Sequence, residues 1–125
     1  IALFPIDEGL SSLSNADLVF EAVPETEVVK KEAFLKLDSV LPQEALVAST
    51  TSTFIADLVA ARSRRPEYVL NAHFLNPAFL VPLVEESPHE GTKTSATKEL
   101  KELLEEIGKL PVFYKARPGY IVPRI

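Results

Sequence analysis

The chain has 125 residues, 46% of them hydrophobic and 25% charged, a balance typical of a folded domain rather than a disordered segment. The net charge of −5 argues against nucleic-acid binding, and the densest basic cluster (Arg62, Arg64 and Arg65) is expected only to decorate the end of a helix. Without cysteine there is no disulfide or thiolate chemistry, and the two histidines lack a metal-ligand spacing, so no metal is expected.

The ends of the chain suggest a piece of a longer protein. The sequence begins with Ile1, contains no methionine and ends within the apolar segment IVPRI. No signal peptide opens it, and no apolar run has the length that spans a membrane. We therefore expect a cytoplasmic protein without a membrane partner, of which this chain is a fragment.

The first half of the chain predicts strands that alternate with helices. DLVFEAV (17–23) is rich in β-forming residues and predicts a buried strand that ends at Pro24. In 26–41, apolar residues recur every three or four positions, which predicts an amphipathic helix. ALVAS (45–49) predicts a second buried strand, and a short helix is expected near 55–61.

The second half continues this alternation. YVLNAHF (68–74) and VPLVEE (81–86) predict a third and a fourth strand. A long helix is expected over 95–107, with Gly108 as its C-terminal stop, and LPVFYK (110–115) predicts a fifth strand. The core-facing residues of the long helix are predicted to be Leu100, Leu103, Leu104 and Ile107.

This order of elements predicts an α/β protein with a Rossmann-like, doubly wound sheet that is at least partly parallel. Ligands of such sheets bind beyond the carboxyl ends of the strands, which here places 24–25, 50–52 and 73–76 at the site. A dinucleotide fold carries G-x-G-x-x-G after its first strand, and none of the four glycines forms that motif. Either the protein is not a dinucleotide enzyme, or the sheet is incomplete, with its first strand and glycine loop upstream of Ile1. The N-terminus, which looks cut, favours the second interpretation.

Four polar residues near these segments match the needs of alcohol oxidation. That reaction requires a hydride acceptor and a base for the hydroxyl proton, and histidine suits the base because its ordinary pKa is near neutrality. A carboxylate on the second ring nitrogen would fix the tautomer, a serine hydroxyl would hold the substrate oxygen, and an asparagine would brace the geometry. The residues that fit are His73, Glu85, Ser52 and Asn76.

Each residue also has a structural interpretation. A lone histidine near a strand end is more often a packing residue than a catalyst. Ser52 suits a turn or a helix cap, and Asn76 before Pro77 suits a turn. Glu85 can turn to solvent where its strand reaches the surface, and Glu86 beside it is expected to do so. The four residues together are stronger evidence for a site than any one of them, because all lie where an α/β sheet binds its ligands.

The segments that contain these residues resemble the L-3-hydroxyacyl-CoA dehydrogenases. They are ADLVFEAVPE, LVASTTST, NAHFLNPAFLVPLVE and IGKLPVFYKARPGYIVPRI, in the family's order and spacing and over nearly the whole chain. The most specific part is H-F-x-N-P…L-V-E. The resemblance implies that 1–117 form the C-terminal portion of the NAD-binding domain, and that 118–125 begin the linker to a helical C-terminal domain.

The same resemblance implies an activity. It implies NAD-dependent interconversion of a 3-hydroxyacyl-CoA and a 3-ketoacyl-CoA in the β-oxidation of fatty acids, by a homodimer when full length. The isolated fragment is expected to be inactive. The catalytic positions are matched by His73 as the general base, Glu85 as its partner, Ser52 at the substrate oxygen and Asn76 as support. The cofactor-contacting positions are matched by Glu25, Lys30 and Thr50.

Two departures from the family pattern leave alternatives open. Thr50 stands where the family has asparagine near the nicotinamide, and Pro123 replaces an active-site asparagine with a side chain that cannot hydrogen-bond. These changes suggest a different acyl group, a free hydroxy acid such as carnitine or gulonate, or a crystallin-like structural protein with a weakened site. A hydrolase using Ser52 and His73 is a further alternative, against which the absence of a G-x-S-x-G motif argues.

Overall fold

The computed structural model describes residues 1–114, which form a five-stranded sheet with helices on both faces. The strands are β1 (Leu18–Glu21), β2 (Leu46–Ser49), β3 (Val69–Phe74), β4 (Leu83–Pro88) and β5 (Leu110–Phe113). The helices are α1 (Ile6–Gly9), α2 (Glu27–Val40), α3 (Ala56–Ala60) and α4 (Thr94–Glu106), with 3₁₀ turns at Leu10–Asn15 and Pro66–Tyr68. The predicted α/β, Rossmann-like fold is confirmed. Among the helices of this described part, none is long and apolar enough to cross a membrane.

The strand order is β1-β2-β3-β4-β5, and the sheet is mixed. β1, β2 and β3 run parallel, β4 is antiparallel to β3, and β5 is parallel to β4. The connection 75–82 between β3 and β4 contains Pro77 and Pro82 and is too short for the helical crossover that a parallel return needs. β4 therefore starts at the edge of the sheet where β3 ends.

Two apolar layers cover the two faces of the sheet, because successive strand residues point to opposite sides. α4 packs on one face, where the buried residues are Leu46, Ala48, Tyr68, Leu70, Ala72, Val84, Ala96, Leu100 and Leu104. α2 and α3 pack on the other face, where they are Phe34, Leu37, Leu41, Ala45, Val47, Val59, Ala60 and Val69. Helices on both faces make the sheet doubly wound, as predicted.

The boundaries and burial of several elements differ from the predictions. β1 covers only Leu18–Glu21 and is half-buried, with Phe20 39% exposed, because it forms an edge of the described sheet. Ile107 was predicted in the core but is 59% exposed, because α4 ends at Glu106 and the chain turns away. Gly108 has φ +80°, so the predicted glycine stop is confirmed. The predicted linker 118–125, including Pro123, lies outside the described residues.

The basic cluster was predicted to decorate a helix end, which is right for Arg62 and wrong for Arg65. The Arg62 guanidinium donates to the Leu58 carbonyl at the end of α3. Arg65 is 3% exposed, and its Nη1 donates to two carbonyls, of Pro42 at 2.7 Å and Ala45 at 2.8 Å. Arg65, which lies just before β3, therefore links the segment between α2 and β2 to its own segment by hydrogen bonds.

Glu86 was predicted to face solvent, and this is wrong. Its side chain lies on the α4 face of β4, where it has no exposed surface. Within residues 1–114, neither carboxyl oxygen has a hydrogen-bond partner. Burial raises the pKa of Glu86 to about 7, because desolvation disfavours the charged form; Lys101 opposes this shift and Glu105 adds to it.

Candidate active site

His73 and Glu85 form a buried pair at the carboxyl end of β3. The two residues are directly opposite in the antiparallel register of β3 and β4, so their side chains emerge on the same face of the sheet. Nδ1 of His73 lies 2.8 Å from Oε2 of Glu85. The side chains are 12% and 1% exposed, respectively. The predicted contact is therefore confirmed, and Glu85 has the partner that a buried carboxylate requires.

The geometry of this pair determines what the imidazole can do. A carboxylate only accepts hydrogen bonds, so the contact favours the tautomer in which Nδ1 carries hydrogen and donates to Glu85. Proton transfer to a ligand then falls to Nε2. The carboxylate of Glu85 therefore holds and orients the ring of His73.

The loop after β2 is organised by Thr51 rather than by Ser52. The Thr51 hydroxyl donates to Glu25 Oε2 at 2.6 Å, and its oxygen accepts from the backbone N–H groups of Thr53 at 3.2 Å and Phe54 at 3.0 Å. Thr51 is 1% exposed, whereas Ser52 is exposed. Thr51 therefore closes the turn that the sequence assigned to Ser52, and Ser52 itself is exposed in the loop that follows β2.

A side chain of β3 ties this loop to the strand that carries His73. Asn71 lies two residues before His73 on β3. Its Nδ2 donates to the Phe54 carbonyl at 2.8 Å. The predicted site residue Asn76 is exposed in the connection after β3, where the Asn76–Pro77 peptide is cis. Ser52 and Asn76 thus occupy neighbouring loops at the edge of the sheet where β3 ends, and their contact with a substrate stays a prediction.

The two predicted cofactor residues Glu25 and Lys30 belong to a larger buried network. Lys30 Nζ lies 3.1 Å from Glu25 Oε1 and 3.0 Å from Glu21 Oε1, and the Lys30 side chain has no exposed surface. Glu21 Oε2 accepts from the Ser49 hydroxyl at 2.5 Å. This network joins β1, β2 and the start of α2 beneath the carboxyl edge of the sheet.

Glu25 is the accessible carboxylate of that network. Its side chain is 38% exposed. Partial burial alone would raise the pKa of Glu25, but hydrogen bonds from Thr51 and Lys30 together outweigh it and lower the pKa. Glu25 is therefore held in its charged form at neutral pH, next to the loop that carries Ser52. The backbone N–H of Thr50, the third predicted cofactor residue, donates to the Glu21 carbonyl at 2.8 Å.

The sequence did not single out Glu21, Ser49, Thr51 or Asn71. Three of them could have been identified from the sequence. Each is a polar residue that interrupts an apolar strand at a position facing the core: Glu21, Ser49 and Asn71. A buried polar residue in such a run requires a partner, and the partners lie on other elements, which periodicity alone does not identify. Thr51 lacks this signal, since it lies in a polar turn.

The residues present fit the nicotinamide end of a dinucleotide better than its pyrophosphate. Glu25 offers a partly exposed, ionised acceptor at the carboxyl edge of the sheet, and its Oε2 accepts from Thr51 in the loop after β2. The sequence contains no G-x-G-x-x-G to hold the phosphates. No group of three or more candidate metal ligands occurs within residues 1–114.

Comparison with known proteins identifies related sequences and structures. Residues 1–117 match the family described as 3-hydroxyacyl-CoA dehydrogenase, NAD binding domain. The chain is 37% identical over 123 residues to 3-hydroxyadipyl-CoA dehydrogenase of Escherichia coli, a match that covers 98% of this chain and 26% of the relative. It is 38% identical over 118 residues to 3-hydroxybutyryl-CoA dehydrogenase of Bradyrhizobium diazoefficiens, covering 94% and 40%.

A solved structure agrees with the sequence matches. FadB2 of M. tuberculosis superposes with a TM-score of 0.88 at 38% identity, covering 92% of this chain and 41% of that one. Across these three relatives, the chain spans 26% to 41% of their length. The similarity therefore concerns one part of larger proteins.

Proposed function

The chain belongs to the 3-hydroxyacyl-CoA dehydrogenase family, and on that premise we propose that its protein oxidises a 3-hydroxyacyl-CoA to a 3-ketoacyl-CoA, or catalyses the reverse reduction. The observation that carries this proposal is the His73–Glu85 pair, a base and its orienting acid 2.8 Å apart in a nearly dry setting. Alcohol oxidation needs such a base at the hydroxyl oxygen.

In the proposed reaction, Nε2 of His73 accepts the proton of the substrate's 3-hydroxyl group as the hydride leaves the carbon. Glu85 keeps Nδ1 protonated and stabilises the imidazolium that forms, through the 2.8 Å contact. In the reverse direction, the same imidazolium returns the proton. We assign the Ser52 hydroxyl to the substrate oxygen and Asn76 to the support of that contact, since both are exposed at the same edge of the sheet.

NAD is the cofactor, as the matched domain indicates, and it supplies the hydride acceptor when bound. On the cofactor side we assign Glu25, Lys30 and Thr50. Glu25 offers a charged acceptor to hydroxyl or amide groups. Thr50 follows β2 directly at the carboxyl edge. The exclusion of water around His73 and Glu85 protects the transferring hydride.

The partners follow from the same assignment. We propose an acyl-CoA substrate, fatty-acid oxidation as the setting, and a homodimer for the whole protein. Relatives named fatty acid oxidation complex subunit alpha in Pseudomonas aeruginosa support this setting, at 34% identity over 111 residues.

The test is turnover by the whole protein. Purified protein is mixed with NAD and, in separate reactions, 3-hydroxybutyryl-CoA, carnitine and gulonate, and NADH formation is followed at 340 nm. We expect turnover only with the acyl-CoA, at a kcat of about 1 to 10³ per second. Turnover only with a free hydroxy acid would move the assignment to that substrate class. No turnover with any of the three substrates would favour a structural role.

A further inference from the structure

The other histidine of the chain, His89, lies in the turn that joins β4 to α4, at the opposite edge of the sheet from His73. β4 runs back along β3, so its last residue, Pro88, lies beside the start of β3. The half-buried ring of His89 has a partner at each nitrogen. Nδ1 lies 3.0 Å from the backbone nitrogen of Gly91, and Nε2 lies 2.6 Å from the carbonyl oxygen of Pro66. The ring therefore bridges its own turn and the 3₁₀ turn that precedes β3.

These two contacts determine which nitrogen of His89 carries hydrogen. A backbone N–H only donates, so Nδ1 offers its lone pair to Gly91 and carries no hydrogen. A carbonyl oxygen only accepts, so Nε2 carries the hydrogen that it donates to Pro66. The ring is therefore held as the neutral Nε2–H tautomer, the reverse of the tautomer that Glu85 favours in His73.

The absence of a side chain at position 91 is what allows the ring to approach the backbone so closely. A Cβ on Gly91 would lie 2.9 Å from Cε1 and 3.3 Å from Nδ1 of His89, and both distances are shorter than ordinary van der Waals contact. Of the two groups, the imidazole is the one that can move. A larger residue at position 91 would therefore push the ring away from the backbone N–H that it accepts from.

The turn that contains His89 also links the start of α4 to β3 by hydrogen bonds. The Thr92 hydroxyl accepts from the His89 N–H at 3.0 Å and donates to the Val69 carbonyl at 3.1 Å. The Lys93 N–H donates to the Glu67 carbonyl at 2.9 Å. A change at His89 therefore acts on the segment that holds the N-terminal end of α4 against the sheet.

We propose that His89 is a proton-sensitive latch: its neutral imidazole closes the turn between β4 and α4, and its protonation opens that turn. The imidazolium carries hydrogen on both nitrogens, so Nδ1 no longer accepts from Gly91 and two donors face each other. Nε2 keeps its bond to Pro66, because it donates in both forms. Histidine is the side chain that ordinarily changes charge between about pH 5 and 8. The proposal is independent of the proposed function, since the turn lies at the edge opposite His73.

The charged groups near the latch come from three segments. Glu67 lies on the 3₁₀ turn before β3, Glu90 lies on the turn between β4 and α4, and Lys93 directly precedes α4. The Lys93 ammonium donates to the hydroxyl of Tyr68 at 2.6 Å. Both contacts of the His89 ring nitrogens are to backbone atoms rather than to a carboxylate. The two glutamates therefore act on the ring only from a distance, and each can be substituted without removing a bond of the latch.

The test follows the turn by NMR in the whole protein as the pH is lowered from 8 to 5. The ¹⁵N resonances of the His89 ring report which nitrogen carries hydrogen, and the amide resonances of Gly91 and Thr92 report the state of the turn. His89→Gln removes the titrating ring. Gly91→Ala displaces the ring and leaves both glutamates in place. Glu67→Gln and Glu90→Gln are the controls for the neighbouring carboxylates.

At pH 8 we expect hydrogen on Nε2 of His89 and none on Nδ1. As the pH falls, Nδ1 should gain hydrogen, and the Gly91 and Thr92 amides should shift with the same midpoint as the ring. Hydrogen exchange at Gly91, corrected for the intrinsic rate, should become about tenfold faster, as expected for the loss of one hydrogen bond. The amide shifts should persist in Glu67→Gln and Glu90→Gln. They should be absent in His89→Gln, and in Gly91→Ala the ring should titrate without moving the residue 91 amide.

Four results would overturn the latch. The first is hydrogen on Nδ1 at pH 8, which would mean that the ring does not accept from Gly91. The second is a ring that stays neutral down to pH 5, and the third is a ring that titrates while the Gly91 amide does not shift. The fourth is an amide shift that persists in His89→Gln, because another group would then be the sensor.

Discussion

Glu85 and Glu86 are adjacent in sequence and opposite in environment. Alternation along β4 places Glu85 on the face of His73 and Glu86 beneath α4. Both are almost completely buried, but within residues 1–114 only the Glu85 carboxylate has a side-chain partner on the neighbouring strand, at 2.8 Å. The proposed role therefore belongs to one of two chemically identical neighbours, which provides a matched pair for mutagenesis.

Glu85→Gln should lower kcat by about a hundredfold or more in the whole protein. A glutamine side chain can either accept a hydrogen bond from Nδ1 or donate one to it, so glutamine does not fix the tautomer of His73. It also lacks the negative charge that would stabilise the imidazolium. Steady-state kinetics with saturating NAD and 3-hydroxyacyl-CoA measure this. Glu86→Gln is the control and should keep kcat within about twofold, because its side chain lies on the other face. Equal losses in both variants would contradict a specific role for Glu85.

The sequence was informative about this pair and uninformative about its surroundings. An imidazole and a carboxylate within an apolar segment predicted a pairing, since neither can be buried alone. It did not predict that Glu86 is buried, because whether a helix covers that face depends on where α4 packs. Nor did it predict the bonds of Glu21 and Asn71, whose partners come from distant segments.

The packing of α4 on β4 should make stability depend on pH through Glu86. Its pKa is about 7 in the folded state and near 4.5 when unfolded, so the folded state binds the proton more tightly. Protonated Glu86 therefore stabilises the folded state fully below about pH 4.5, and this stabilisation is lost as the pH rises through about 7. The free energy of unfolding should fall by on the order of 3 kcal/mol over that range. Of the groups that influence this pKa, Lys101 and Glu105 both lie on α4.

Urea unfolding of the protein and of Glu86→Gln at pH 5 to 8.5 measures this effect. The difference in the free energy of unfolding isolates Glu86 from the other carboxyl groups. We expect Glu86→Gln to gain stability relative to the unsubstituted protein as the pH rises. A difference that is constant over this range would mean that Glu86 keeps an ordinary pKa in the folded state.

The end of α4 provides a prediction about its core. Leu104 is fully buried, whereas Ile107, beyond the last helical residue, is 59% exposed. Leu104→Ala should therefore lower the free energy of unfolding by about 2 to 5 kcal/mol, and Ile107→Ala should change it by no more than about 0.5 kcal/mol. Equal destabilisation by the two substitutions, in denaturant titrations, would place Ile107 in the core after all.

The sequence predicted the presence of each helix and strand more accurately than where it ends or how deeply it is buried. The period of α4 identified Leu100 and Leu104, and Gly108 marked its end because a positive φ suits glycine. Ile107 satisfies the same period and is exposed, since periodicity does not show where packing stops. β1 was predicted as buried from its composition, but its burial depends on which elements flank it.

At the scale of the whole molecule, the antiparallel step from β3 to β4 brings the proposed chemistry together. If β4 ran parallel to β3, it would begin at the opposite edge of the sheet from the end of β3, where His73 lies. Because the connection 75–82 is short, β4 instead runs back along β3, and Glu85 lies directly opposite His73. The parallel strands β1 and β2 deliver Glu25 and the 50–53 loop to the same edge. The alternation of elements predicted this edge, while the order and direction of β4 came from the structure.

The most direct test of the central claim is the rate of hydride transfer in His73→Gln compared with His89→Gln. His89 is the other histidine, and its Nε2 contacts the Pro66 carbonyl away from the proposed site. Stopped-flow NADH formation by the whole protein, with saturating 3-hydroxyacyl-CoA and NAD, gives the rate. We predict a loss of about 10²- to 10⁴-fold for His73→Gln and an unchanged rate for His89→Gln. Full activity in His73→Gln, with NAD binding intact, would contradict the account.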